Sequence, residues 1–297
     1  MKRFLNIFLI VLICSCKRWD TPFKRNPALE LLLKEYSYNF FHPVWSPDGK
    51  HIYYLRSDEF IYYDGGEVWK INLETKTTKF LLKGPFCSFS ISPSGDLLAL
   101  SYESSISYKY DGGPLILMDT IGNILDTLET ILPFILDVEF SLDGSKLYYY
   151  AYDTIGSQDS FGFYRINIDG TQEQLIKPDY KILDLMKKGL GFDLDINDSI
   201  IYGKIDTIAF PDYCYHPQIF YKSGNSYVIF TIYKDIRLID LSAHKLYFPD
   251  ALPYKENYFE SAYFSPDGKK LIISVAPMDI THSFPGYLEL WILHKIW

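Results

Sequence analysis

An all-β fold of repeated small antiparallel sheets is predicted for this 297-residue chain by three features. The composition is rich in Tyr (26) and Phe (21), with Ile and Thr, which suit a pleated, packed surface better than a helix. A short turn motif recurs along the chain. The segments following it are apolar on consecutive residues, so both faces of each sheet are expected to be covered. Hydrophobic residues make up 48% and aromatics 18%, which excludes disorder, because such a chain buries enough surface to offset its ordering entropy. Eighteen glycines and no heptad exclude collagen and coiled coil. A net charge of −8, from 29 basic and 37 acidic side chains, argues against a nucleic-acid partner. The length allows one large repeat domain or two ordinary ones.

Residues 1–15 read as a signal peptide. Met1-Lys2-Arg3 is cationic, and Phe4 to Ile13 is apolar except for Asn6. That run is too short to cross a bilayer, which takes roughly 20 helical residues. Ile13-Cys14-Ser15-Cys16 resembles the lipobox of bacterial lipoproteins. The resemblance implies lipidation of Cys16, since Ser15 offers the small residue required before the cysteine, whereas Cys14 would be preceded by bulky Ile13. Several acyl chains on one cysteine would hold the protein stably to a membrane in the bacterial cell envelope, periplasmic or surface-exposed. Residues 16–28, including Lys17 to Ala28 with two prolines and five charges, read as a tether. An envelope location permits a disulfide, but the single pair Cys87 and Cys214 is no framework, and buried free thiols are expected.

Residues 29–297 read as a repeat domain. The turn Trp45-Ser-Pro-Asp-Gly-Lys50 returns as Ser92-Pro-Ser-Gly-Asp96, Ser141-Leu-Asp-Gly-Ser145 and Ser265-Pro-Asp-Gly-Lys269. Weaker copies stand at Asp195–Ser199 and Tyr221–Asn225, and Tyr63-Asp-Gly-Gly66 is echoed by Tyr110-Asp-Gly-Gly113. Within the first unit, Phe41 to Ser46 is one strand. Pro47 and Asp48 then set the turn and Gly49 supplies its left-handed residue. Residues 51–57, 67–73 and 77–82 complete four antiparallel strands. Equivalent second strands are expected at 146–152, 227–233 and 270–275. Small sheets stacked face against face around an axis make a β-propeller. Six blades of about 45 residues fit the length, although five remain possible because 178–215 is degraded. Leu29 to Lys34 has the character of a fourth strand with no unit before it, and Tyr287 to Leu293 ends a unit with no fourth strand after it. Pairing the two would close the ring and remove an open edge.

The pattern Pro43 to Ser57, nearly repeated at Ala262 to Val275, resembles the WD-like repeat of TolB-type six-bladed propellers. Ser94 and Leu142 depart from it in the two intermediate copies. The resemblance covers the repeat domain and implies a scaffold in the Gram-negative envelope that binds a protein or peptide partner.

No hydrolase elbow, zinc-protease, phosphate-loop or dinucleotide motif occurs, so no catalytic residue, metal or cofactor is assigned. The histidines at 51 and 244 fall near turns and read as solvated. Connections from a fourth strand to the next first strand should gather at one mouth of the channel, together with the Asp-Gly-Gly turns. Phe40, Phe41, His42, Tyr63, Phe86, Phe134, His216 and Tyr258 are candidates for a binding surface there, or for packing between blades. Tyr62 and Tyr254 belong with them. Asp193, Asp195 and Asp198 cluster without a calcium-loop pattern, and Asp64 and Asp111 read as hairpin residues. A binding propeller is the reading these features favour. The alternatives are a propeller enzyme, lactonase- or lyase-like, needing channel carboxylates or a metal, and a regulatory cap of the kind that precedes hydrolase domains.

Overall fold

The computed structural model describes residues 27–36, 39–57, 66–104, 111–153, 160–177, 215–222, 225–232, 235–240, 245–247, 257–277 and 287–296. Among these residues the chain is all-β, with antiparallel sheets and no helix. After β1 (Leu29–Tyr36) come β2 (Asn39–Trp45), β3 (His51–Ser57), β4 (Gly66–Asn72), β5 (Thr78–Ile91), β6 (Leu97–Ser104), β7 (Asp111–Asp119) and β8 (Ile124–Leu128), and β2 to β8 pair in sequence order. A four-stranded meander follows: β9 (Phe134–Phe140), β10 (Lys146–Asp153), β11 (Ser160–Asn167) and β12 (Gln174–Lys177). Another is built from β13 (Tyr215–Lys222), β14 (Asn225–Ile232), β15 (Asp235–Asp240) and β16 (Lys245–Tyr247). The last sheet joins β17 (Asn257–Phe264), β18 (Leu271–Pro277) and β19 (Tyr287–Leu293) to β1, in the order β1-β19-β18-β17.

The recurring turn works by one local device. Ser46 Oγ donates to Asp48 Oδ1 at 2.5 Å and accepts from His51 N at 2.9 Å, while Gly49 N donates to Ser46 O at 2.8 Å. Gly49 adopts φ 68°, a left-handed conformation that glycine takes without steric cost. Ser141 with Asp143 and Ser265 with Asp267 repeat the pair at 2.6 and 2.7 Å. In the second copy Ser94 occupies the aspartate position, and Ser92 donates instead to Asp96 at 2.9 Å, joined by Ser94 itself. The sequence departure is thus repaired two residues later. Turns between third and fourth strands lie at the same end, since Leu73 N donates to Lys50 O and Ile168 N to Ser145 O.

Both faces of β3, β6 and β18 are covered. Along β3, Ile52 and Tyr54 enter one core with Ile272, Leu290 and Ile292 of the last sheet, while Tyr53 and Leu55 enter another with Leu98, Leu100 and Met118. β6 repeats this: Leu98 and Leu100 face back, and Ala99 faces forward to Val138, Leu147 and Tyr149. β18 sends Ile272 one way and Ile273 the other, toward Ile229 and Leu238. Strands with two covered faces need no polar alternation, which is why these runs are continuously apolar.

The strands depart from the expected plan at one junction and at some of their end points. The fourth strand of the first unit and the first strand of the second form one element, β5, whose early residues pair with β4 and whose later residues pair with β6. The weak turn copy at 221–225 falls, as expected, between a first and a second strand, β13 and β14, with Lys222 opposite Asn225. β14 and β18 start one or two residues away from their expected positions. The copy at 195–199 lies outside the described residues.

β1 pairs with β19 from Leu29↔Leu293 to Tyr36↔Tyr287. The pairing expected between the two ends of the repeat is present. Lys34 Nζ meets Glu289 Oε1 at 2.8 Å directly across the ladder, and the buried Glu289 also accepts from Trp291 Nε1 at 2.8 Å.

Candidate functional site

Among the first strands of the units, β2 lies against the later half of β5 and against β17, β5 against β9, and β13 against β17. Each carries a register shift at a similar level: between Phe41 and Val44, Phe86 and Ser88, Tyr215 and Gln218, Phe259 and Ser261, and, read from β10, between Tyr150 and Ala151. Such bulges bend a strand and re-aim its side chains. His42-Pro43 and His216-Pro217 sit at two of them, where a proline costs no ladder hydrogen bond.

A polar seam crosses from β5 to β9. Ser88 Oγ donates to Asp137 Oδ1 at 2.5 Å, and Ser90 Oγ donates to Glu139 Oε1 at 2.9 Å while accepting from Phe140 N at 3.2 Å. Cys87 Sγ lies 3.0 Å from Ser101 Oγ and 3.2 Å from Ile135 O. Ser88, Ser90, Ser101 and Asp137 are all buried. These hydroxyl–carboxylate pairs tie the β2–β8 sheet to the β9–β12 sheet. Cys87 is a buried thiol, as expected; Cys214 lies outside the described residues.

The strand ends Ser57 and Gly66, Ser104 and Asp111, and Asp153 and Ser160 mark the opposite end from the serine turns. Near it, Arg56 pairs with Glu35 of β1 at 2.7 Å and lies 4.7 Å above the Trp69 ring, while Trp69 packs edge-on against Phe80 at 5.5 Å. Glu67 Oε2 accepts from Trp69 Nε1 at 3.3 Å, and Glu67 Oε1 lies 3.9 Å from Lys83. Burial and the Glu35 charge push the Tyr54 hydroxyl well above the usual tyrosine range. This cluster ties β1 to the first unit, and nothing in the turn motif signalled it. Gly66 explains one part of the Asp-Gly-Gly motif: a Cβ there would fall 2.9 Å from Arg56 N. At Gly113 a Cβ would fall 2.4 Å from the Tyr102 ring.

Of the predicted mouth residues, Phe86 and Phe134 are 1% and 2% exposed. Phe86 meets Tyr102 edge-on at 6.0 Å and Phe134 stacks on Tyr152 at 5.1 Å, so both act as packing and offer no open surface. Phe40, Phe41 and His42 lie in β2, His216 in β13 and Tyr258 in β17, with side chains outside the described set. Tyr62, Tyr63, Asp64, Tyr254 and the aspartates at 193, 195 and 198 are outside it altogether, as are His244 and Cys16. His51 sits half-buried opposite Asn72, and burial with the Lys70 charge lowers its pKa. Among the described residues no group of three His, Cys, Asp or Glu side chains is arranged to hold a metal.

No protein-family model and no curated protein matches this chain. Solved structures overlap it loosely. A chain from a nidogen/laminin complex is 11% identical with TM-score 0.46, over 69% of this chain and 78% of that one. A protein described as TolB from Agrobacterium tumefaciens is 16% identical with TM-score 0.39, over 85% and 76%. TolB from Acinetobacter baumannii is 14% identical with TM-score 0.36, over 85% of this chain and 54% of that one.

Proposed function

We propose that the chain is a lipid-anchored envelope β-propeller of six blades, closed by β1, that binds a protein or peptide partner without catalysis. The fourth blade would fall within residues 178–214. One observation carries the binding assignment: the two ends of the sheets differ in kind. At one end the serine turns repeat nearly the same hydrogen bonds in four units. At the other, the connections 58–65, 105–110, 154–159 and 278–286 run from six to nine residues and differ in sequence outside the Tyr-Asp-Gly-Gly of the first two, which are rich in tyrosine. A constant framework presenting varied connections is how a rigid scaffold carries recognition. Aromatic side chains suit a protein or peptide ligand because they bring large contact area at low entropy cost.

In vivo photo-crosslinking of the full-length protein from position 62 is expected to capture one envelope protein. The double substitution Tyr63→Ser, Tyr258→Ser is expected to abolish that crosslink without moving the melting temperature. Retention of the crosslink in the variant would contradict binding at this end.

A further inference from the structure

The outer edges of the sheets display partly exposed apolar side chains. Leu31 on β1 is 39% exposed, Phe80 on β5 is 43% exposed, and Ile121 in the turn before β8 is 63% exposed. They belong to two sheets, Leu31 to the last and Phe80 and Ile121 to the two units of the β2–β8 sheet, joined along the edge by direct contacts. Glu30, next to Leu31, holds the Lys76 ammonium at 2.7 Å, and Lys79 Nζ donates to Ile121 O at 3.2 Å. Phe80 stands between Lys79 and the 77%-exposed Lys83, in a chain whose net charge is −8.

This is also the edge where the preceding chain enters. β1, the outermost strand of its sheet, starts at Leu29, and about ten residues separate Cys16 from Pro27, a reach of at most ~35 Å. That stretch carries Lys17, Arg18, Lys24 and Arg25 against a single Asp20, with Trp19 and Phe23 among them. An added β-strand fits the edge poorly. Register shifts interrupt the ladder of β1 at Leu31/Leu33, that of β5 opposite Val68/Trp69 of β4, and that of β8 opposite Leu117/Met118 of β7.

We propose that the outer edge formed by β1, the first half of β5 and the β7–β8 turn lies against an anionic lipid surface, with Leu31, Phe80 and Ile121 entering the headgroup layer. Lys79, Lys83 and the basic stretch after Cys16 supply the attraction, which acts within a Debye length of the charged surface. The inference rests on the lipid anchor proposed above, and it sets the orientation of the molecule: the sheets stand with one flank on the membrane.

The test is amide hydrogen exchange on the full-length lipidated protein, reconstituted in phosphatidylglycerol-containing vesicles and in pure phosphatidylcholine vesicles. Peptides covering 27–36, 76–84 and 119–128 are expected to exchange on the order of tenfold more slowly on the anionic vesicles. The variant Leu31→Ser, Phe80→Ser, Ile121→Ser, whose sites are exposed, is expected to stay on the vesicles and lose this protection. Full association with unchanged exchange on both vesicle types would overturn the edge contact while leaving the anchor intact. Failure to associate at all would overturn the anchor and the edge contact together. Protection that grows with protein density and ignores lipid charge would assign the edge to a second copy of the chain and overturn the proposal.

Discussion

Asp48, Asp96, Asp143 and Asp267 are each held below the usual carboxylate range, first of all by a serine hydroxyl donating to them. A carboxyl whose folded pKa is depressed stabilises the fold above its unfolded value, about 3.9, and loses that contribution as pH falls through the folded value. The melting temperature is therefore expected to hold on the neutral side and drop below about pH 4, read by thermal scans across pH. Ser141→Ala removes the donor to Asp143 and the acceptor for Lys146 N. It is expected to cost about 1–2 kcal/mol at pH 7 and less at pH 2, which lies below the unfolded carboxylate value, so that part of the depressed carboxyl's contribution is already lost. An equal cost at both pH values would contradict the pairing. Gly66→Ala is expected to destabilise by about 1–3 kcal/mol, because its new methyl meets the Arg56 backbone, which cannot give way as a side-chain tip can. Denaturant unfolding measures it. These turns were legible because motif and hydrogen bonds lie within five residues of each other. The Ser88–Asp137 seam was not legible, since its partners stand 49 residues apart and nothing local marks them.

Among the elements, β1 has the largest consequence for its length. It covers the edge of β19, and its Lys34 neutralises the fully buried Glu289. Removing one partner of a buried pair strands the other charge, at about 3–5 kcal/mol when both are buried; Lys34 is half-exposed, so Lys34→Ala is expected to cost about 1–3 kcal/mol. An unchanged denaturation midpoint would mean that Glu289 is held by its other contacts alone. The pairing of β1 could be inferred from counting, because Leu29 to Lys34 had the character of a fourth strand without a unit and the last unit lacked one. The ion pair could not: its two residues are distant in sequence and each looks like an ordinary surface charge. The fusion of two expected strands into β5 was hidden for a related reason. Gly84-Pro85 reads as a break, yet the backbone runs on through it, with Gly84 leaving room for the Phe86 ring 2.6 Å from where its Cβ would be.

At the scale of the whole molecule, the described sheets form a series of shared cores from β13–β16 through the last sheet and the β2–β8 sheet to β9–β12, the last sheet meeting the first unit through Trp45, Ile52, Ile272 and Ile292. Trp45 Nε1 adds a hydrogen bond to Tyr263 O at 3.2 Å across the same junction. This arrangement was readable from strands apolar on every residue, a pattern that demands cover on both faces. The candidate mouth was less readable, because an aromatic facing a ligand and one wedged between sheets look alike in sequence. Phe86 and Phe134 proved to be the second kind. At this scale the anchor is also testable: Cys16→Ala is expected to move the protein from the membrane fraction to the soluble envelope fraction, and persistence in the membrane would count against lipidation. The union of the two chain ends is tested most directly by inserting a protease site between Tyr36 and Asn39 in the full-length protein and cutting it. The fragment ending at Tyr36 is expected to remain bound through gel filtration, held by its ladder with β19, and to leave only in denaturant. Separation of the fragment in native buffer, with the remainder melting as the uncut protein does, would contradict the account.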